Sequence, residues 1–156
     1  MPENIFKQIS LDILRLHQQT CRTLLATHDS NATQVREAVY VTIDGRYYVL
    51  LPQISETQAP QSGILLIEAD DAQARLSWVA SARPVKQKSS LYRRALEALQ
   101  RRVLHTRHPA ADACLLELTP QQGRLTLRQN RDFALSPADL VRALYPAGHT
   151  IGAFAM

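Results

Sequence analysis

The sequence predicts an α+β protein in which a small antiparallel β-barrel of about six to seven strands is flanked by peripheral helices. Short β-branched and aromatic runs recur along the chain with turn residues between them, and amphipathic segments come before, between and after these runs. At 156 residues the chain fits one domain with one core. We expect a barrel domain over residues 1–144 and a C-terminal tail over residues 145–156.

The first third of the chain predicts a helix, a strand and a hairpin. Residues 2–19 predict an amphipathic helix, because apolar side chains recur at spacings of three and four: Ile5, Ile9, Ile13 and Leu16. A short strand is expected over Thr23–Thr27. The two runs of "EAVYVTIDGRYYVLL" are joined by Asp44-Gly45, a pair that favours a tight type I′ turn, because both central residues need a positive φ. This stretch is therefore a predicted β-hairpin.

The middle of the chain predicts two strands and a second helix. "GILLIEAD" is apolar enough for a central strand, and "ARLSWVASARPVK" alternates in the manner of a half-buried strand. A helix is expected to start at Ser89 or Ser90 and to end before Pro109. It carries one apolar face, with the arginines largely on the other.

The last third predicts another hairpin, a short helix and a tail. "ACLLELTPQQGRLTLRQ" contains two alternating runs around a loop with proline and glycine, which is typical of a hairpin. "LSPADLVRAL" predicts a helix with Ser136 as cap, Pro137 in the first position and Asp139 in the third. The apolar segment "YPAGHTIGAFAM" follows it.

Composition limits the environment and the partners. The two cysteines lack metal-type spacing and no signal peptide is evident, so we expect reduced, buried thiols in a cytoplasmic protein. No apolar run reaches the roughly 18 residues that cross a bilayer. The net charge is +4, and eight of the 18 Lys and Arg residues gather in one stretch with a single acid, Glu97: Arg83, Lys86, Lys88, Arg93, Arg94, Arg101, Arg102 and Arg107. This stretch fits either a solvated helix face or an anionic partner.

No common catalytic motif is present. The sequence lacks a dinucleotide-binding G-x-G-x-x-G, a Walker loop, an H-E-x-x-H and a G-x-S-x-G nucleophile elbow. His17 is expected at the surface or the core edge, and His105 and His108 favour a helix C-terminus over a metal site. His149 lies among glycine and apolar residues. From the residues alone it fits either a docked or frayed terminus or an arm that closes on a flat apolar ligand.

The order of these segments resembles the cytoplasmic heme-utilization proteins of the HugZ/HutZ type, within the pyridoxamine-5'-phosphate-oxidase-like split-barrel superfamily. The likeness is strongest in "DACLLELTPQQGRLTLRQNRDFALSPADLV", which is similar to the family's aspartate, strand, Pro-x-x-Gly loop, strand and "DL" helix. It extends upstream through "TLLATHD", "GRYYVLLPQIS", "LLIEADDAQARLSW" and "LYRRALEALQRRV". The resemblance implies an antiparallel split β-barrel that forms a homodimer.

The resemblance also implies a heme site near the subunit interface. By position, His149 matches the family's heme-iron ligand, and Asp112 matches the aspartate that hydrogen-bonds this histidine across the dimer. Such a carboxylate fixes the imidazole tautomer and raises its basicity toward iron. Arg75 matches a basic residue that is suited to pair with a heme propionate.

The function implied is heme binding in iron utilization, with opening of the porphyrin ring by O₂ and an electron donor of unknown kind. Two alternatives stay open: an FMN-binding oxidoreductase of the pyridoxamine-phosphate-oxidase type, and a non-catalytic heme carrier. The stretch Ile54–Gln61 holds no Arg, Lys or His where relatives bind phosphate, which argues against FMN. Nucleic acid is disfavoured as a partner, because aromatic residues that could stack on bases make up only 6% of the chain.

Overall fold

The computed structural model describes residues 2–29, 32–52, 59–71, 73–102, 113–128 and 131–145. Within these residues the chain forms three helices and seven strands. The helices are α1 (Pro2–Gln19), α2 (Ser90–Arg102) and α3 (Pro137–Leu144). The strands are β1 (Arg22–Asp29), β2 (Ala32–Ile43), β3 (Arg46–Leu51), β4 (Ser62–Glu68), β5 (Ala74–Pro84), β6 (Cys114–Leu127) and β7 (Arg131–Leu135).

Six of the strands close into an antiparallel barrel. Neighbouring strands follow the order β3-β2-β1-β4-β5-β6, and pairing of β3 with β6 closes the ring. The closing register runs from Tyr47 opposite Leu118 to Leu51 opposite Cys114. Strand β7 pairs with the second half of β6 and lies outside the ring. The predicted α+β barrel of six to seven strands with peripheral helices is therefore confirmed.

The barrel core is continuous with one face of α1 and of α3. Strand residues such as Leu65, Leu76 and Trp78 are fully buried, and Ile13 and Leu16 of α1 pack against the same cluster. Burying an aliphatic side chain of this size stabilises the fold by about 1.5–3 kcal/mol. Helix α1 therefore covers one side of the barrel with the apolar stripe that its sequence predicts.

Helix α2 covers a second face of the barrel. Ala95, Ala98 and Leu99 pack with Tyr48 and Leu115 in a cluster separate from the main core. Strand β3 is consequently buried on both sides, with Tyr47 facing the main core and Tyr48 facing α2. The predicted helix from Ser89 or Ser90 is confirmed through Arg102, and residues 103–112 lie outside the described part of the chain.

The predicted Asp44-Gly45 turn is confirmed. Asp44 has φ 53° and Gly45 has φ 78°, so both central residues occupy the left-handed region that a type I′ turn requires. A side chain at Gly45 would also collide with α3, since a Cβ there would lie 2.8 Å from Cγ2 of Val141. This turn and α3 are therefore packed together.

The predicted second hairpin is wrong. Its residues form one continuous strand, β6, and the second half of β6 pairs with β7, a strand that its own residues do not predict. Between Val79 opposite Gln122 and Ala80 opposite Pro120 the register slips by one residue, which makes a β-bulge at Gln121. Proline lacks an N–H to donate, and a bulge tolerates that loss within a strand.

Helix α3 starts as its sequence predicts. Pro137 occupies the first position, and the Asp139 carboxylate accepts a hydrogen bond from the backbone N–H of Ser136 at 2.8 Å. The helix buries Leu140, Ala143 and Leu144 against the main core. The residues after Tyr145 lie outside the described part of the chain.

Candidate functional site

Arg75 lies at the start of β5, on the outside of the barrel. Its Nε donates to Oε2 of Glu68 at 2.8 Å, and the two residues are direct cross-strand partners. The side chains are 56% and 42% exposed, so the ion pair is a solvated one worth about 0–1 kcal/mol. Arg75 can therefore exchange this partner for another anion at small cost.

Asp112 and His149 lie outside the described residues, but the structure describes the residues from which each one extends. Ala113, next to Asp112, is buried and precedes Cys114, which is opposite Leu51 at the end of β3. Tyr145, four residues before His149, is also buried, and its phenol interacts with the backbone of the Asp44-Gly45 turn. The two attachment points are therefore at opposite ends of β3.

A buried carboxylate occupies the outer face of β6. Glu117 is 1% exposed, accepts a hydrogen bond from the Tyr48 hydroxyl at 2.9 Å and from Nε of Arg83 at 2.8 Å, and has Nη1 of Arg46 at 3.9 Å. Burial, reinforced by the Glu117 carboxylate, raises the pKa of Tyr48 well above its usual range. Tyr48 therefore stays protonated and Glu117 is fully partnered, which is the arrangement of a structural ion cluster.

His17 is buried at the junction of α1 and the barrel, rather than at the surface or core edge. Its Nδ1 donates to the carbonyl of Ile13 at 2.7 Å, so its Nε2 accepts from the Tyr47 hydroxyl, also at 2.7 Å. Burial lowers the pKa of His17 from 6.5 to about 4. The neutral ring is consequently a satisfied core group.

Arg102, at the end of α2, forms hydrogen bonds with the end of α1. Its guanidinium donates to the carbonyls of His17 and Thr20 and lies 4.9 Å from the centre of the Tyr40 ring. A cation at the C-terminus of a helix complements the helix dipole. Arg102 therefore belongs to the fold, whereas Arg93, Arg94 and Arg101 are exposed on the other face of α2.

An exposed apolar row crosses four barrel strands. Val35, Ala26, Ile64 and Val79 are successive cross-strand neighbours on β2, β1, β4 and β5. Val35 is 65%, Ile64 50% and Val79 45% exposed, and Leu24, 44% exposed, is two residues from Ala26 on β1. We call Leu24, Val35, Ile64 and Val79 the outer apolar face. Exposed apolar side chains that lie together in this way form a candidate interaction surface.

Two concave regions flank α1. A groove of about 760 Å³ lies between α1, β7 and α3, and a smaller cleft of about 290 Å³ lies between α1 and the start of β5. The cleft is lined by both signs of charge, including Arg15 and Arg128 beside Asp12 and Asp71. Gln73 and Ala74, the two residues that directly precede Arg75 in the sequence, also line this cleft.

The described residues hold no cluster of three or more His, Cys, Asp or Glu side chains that could bind a metal ion. Cys114 is buried as expected, whereas Cys21 is half-buried. His28 is exposed on β1, with Nδ1 3.2 Å from Oγ1 of Thr33. No described helix has the length and apolar character needed to span a membrane.

Sequence reasoning missed the two buried polar clusters. Glu117 stands among leucines in "CLLELT", and an acid within an apolar run is a signal for a buried, partnered carboxylate. His17 stands one residue after Leu16 and four after Ile13, which extends the apolar stripe of α1. The partners Tyr47 and Arg102 are 30 and 85 residues away, so only the fold identifies them.

Comparison with solved structures identifies the fold as the split barrel. HutZ, the heme storage protein from Vibrio cholerae, superposes with a TM-score of 0.62 at 22% identity, over 74% of this chain and 92% of HutZ. A heme-binding protein from Mycobacterium smegmatis gives 0.65 at 14% identity, over 84% of this chain and 59% of that protein. A protein from Clostridium acetobutylicum that is related to general stress protein 26, of the pyridoxinephosphate oxidase family, superposes with a TM-score of 0.62 at 14% identity. The match covers 85% of this chain and 97% of that protein.

Neither a protein-family model nor a curated protein matches the sequence. At these identities the structural likeness establishes the fold. The expected antiparallel split β-barrel is thereby confirmed.

Proposed function

We propose that this protein binds heme as a homodimer, and that the His149 imidazole would hold the iron. The observation that carries the proposal is the shared split-barrel fold with HutZ, a heme storage protein, together with the position of β6 and α3 in that fold. Strand β6 begins two residues after Asp112, and α3 ends five residues before His149. Bound heme would supply the O₂ chemistry, and the protein would set ligand strength and access.

The geometry of β3 supports a site shared between two subunits. The two attachment points, Ala113 and Tyr145, lie at opposite ends of β3, which spans about 17 Å from Arg46 to Leu51. Four residues from Tyr145 to His149 reach about 14 Å when fully extended. Within one chain the tail would have to run straight back along β3 to meet Asp112, so a meeting of the two residues across a dimer is favoured.

The outer apolar face supports the homodimer. Three of its side chains are about half exposed or more, and burial of each would contribute about 1.5–3 kcal/mol to association. A two-fold interface uses the same patch on both subunits, which suits a row of uncharged side chains that can pack against its own copy. We assign this row to the dimer interface.

Arg75 suits a heme propionate. Its guanidinium is solvent-accessible, and its present partner, Glu68, is held only by the weak exposed pair described above. A dianionic flavin phosphate at the same place would approach the Glu68 carboxylate, so Arg75 fits a single carboxylate better than it fits FMN.

An optical titration with hemin tests the proposal. We expect a saturable Soret band for the unaltered protein and a weakened or shifted band for His149→Ala. His28→Ala is the matched control, because it removes another exposed imidazole. An identical spectrum for His149→Ala would refute the ligand assignment, and the absence of any saturable band would refute heme binding. Flavin absorption in the purified protein would support the FMN alternative instead.

Loss of the Soret band over time with ascorbate and O₂, with release of iron, distinguishes ring opening from storage. Arg75→Gln is expected to weaken hemin binding by up to about tenfold, the loss of one exposed charge-assisted contact. Static light scattering tests the dimer: Ile64→Asp on the outer apolar face should give a monomer, whereas Glu97→Gln, at an exposed position of α2 on another face of the barrel, should leave the dimer intact.

A further inference from the structure

The groove between α1, β7 and α3 is apolar and open. Its walls include Ile5, Ile9 and Leu11 of α1 and Phe133 and Leu135 of β7. Phe6 of α1, which also lines it, is 65% exposed. Apolar surface of this extent on one side of a barrel is suited to a covering segment.

One wall of the groove is a free strand edge. Among the described residues β7 pairs with β6 alone, along the register from Arg131 opposite Leu127 to Leu135 opposite Gly123. In an antiparallel pair, alternate residues direct their N–H and C=O groups away from the partner strand. The edge of β7 therefore offers backbone hydrogen bonds to an extended segment, in the manner of strand addition.

The charges at the groove favour an uncharged occupant. Lys7 and Arg142 are balanced by Asp132 and Asp139. Arg142 already pairs with Asp139 at 2.8 Å, and Asp132 accepts a hydrogen bond from Thr126 at 2.7 Å. An anionic or cationic ligand would gain little from this rim, whereas an apolar peptide would need no charged partner.

The chain itself carries such a peptide next to the groove. Residues 146–156 contain no Asp, Glu, Lys or Arg and include Ile151, Phe154 and Met156. Arg142 and Ala143, which line the groove, are within three residues of Tyr145, where this segment starts. Eleven residues extend over about 36 Å, whereas the five residues of β7 need only about 17 Å. The segment is thus long enough to reach the β7 edge and run along it.

We propose that, in the ligand-free protein, residues 150–156 bind in the α1/β7 groove of their own chain as an additional strand on the free edge of β7. Phe154 would cover the exposed apolar side chains of α1, and the backbone would pair with residues 132–134. The docked strand would also hold His149 at the mouth of the groove. This inference concerns the protein without heme and does not depend on the proposed ligand.

Amide hydrogen exchange of ligand-free protein tests the docking. We expect exchange of the β7 amides to accelerate by about tenfold or more when residues 150–156 are deleted, and also in the full-length variant Phe154→Asp. Gln87→Asp, which introduces the same charge at an exposed turn position before α2, is the matched control, and exchange in β4 should stay unchanged in every variant, which shows that the barrel is intact. Since the deletion retains His149, the hemin titration reports on the heme proposal separately.

Unchanged exchange of β7 in both variants would overturn the proposal. Protection of β7 that rises with protein concentration would assign the groove to a second copy and would also overturn it. Protection of β7 that disappears after extraction with organic solvent, but not after deletion of the segment, would assign the groove to a small apolar ligand. This result would also overturn the proposal.

Discussion

Replacement of His17 by glutamine should remove a specific part of the pH dependence of stability. The pKa of His17 is about 4 in the folded protein because of burial, and about 6.5 in the unfolded chain. The unfolded chain therefore binds the proton first as pH falls, so this contribution to stability is present above pH 6.5 and is lost toward pH 4. Linkage gives a loss of about 2 kcal/mol between pH 7 and pH 5.

Urea unfolding at pH 7, 6 and 5 measures this effect. We expect the free energy of unfolding to fall by about 2 kcal/mol more in the unaltered protein than in His17→Gln over this range. His28→Gln is the control, because it makes the same substitution at an exposed position on β1. Equal slopes for the unaltered protein and His17→Gln would show that His17 is not held neutral by burial.

Three further substitutions test the packing. Tyr47→Phe leaves Nε2 of buried His17 without its donor and should lower the free energy of unfolding by about 1–3 kcal/mol in a urea titration; no loss would contradict the 2.7 Å bond. Gly123→Ala places a Cβ 2.5 Å from the Trp78 ring and should cost about 1–3 kcal/mol with a changed near-UV spectrum, and an unaltered stability would show that the ring has room. Glu117→Gln weakens two charge-assisted bonds and should cost about 1–3 kcal/mol in a urea titration at pH 7, and an unaltered stability would show that these bonds do not stabilise the fold.

Local signals identified most of the elements. The Asp44-Gly45 turn and the start of α3 were predictable because each depends on residues adjacent in sequence, a positive φ in the first case and Ser136-Pro137 in the second. The stripe of α1 was predictable because a helix buries residues at regular spacing. Each of these elements can therefore be predicted from its own residues.

Strand β6 was not predictable in this way. Pro120 and Gly123 are typical turn residues, but here the proline adjoins a bulge and the glycine makes room for the Trp78 ring on β5. Both requirements come from a strand about 40 residues away, so the local pattern indicated a hairpin that does not form. Strand β7 was missed because five residues with two charges lack a clear alternation.

The sequence likewise predicts one part of the candidate site, and only the fold identifies the other part. Arg75 was placed by its match to a family pattern, and the fold puts it on an accessible strand end, but only the structure identifies Glu68 as its partner. The assignments of Asp112 and His149 concern residues outside the described part of the chain and stay predictions. The opposite placement of their attachment points along β3 followed from closure of the barrel, which no local pattern specifies.

Mixing two inactive variants tests the shared heme site most directly. Asp112→Asn and His149→Ala chains, refolded together, should form mixed dimers in which one site keeps both residues. With random pairing, about a quarter of the native sites should return, seen as recovery of the native Soret band on hemin titration. A mixture whose spectrum equals the sum of the two separate variants would contradict a site built from Asp112 of one subunit and His149 of the other.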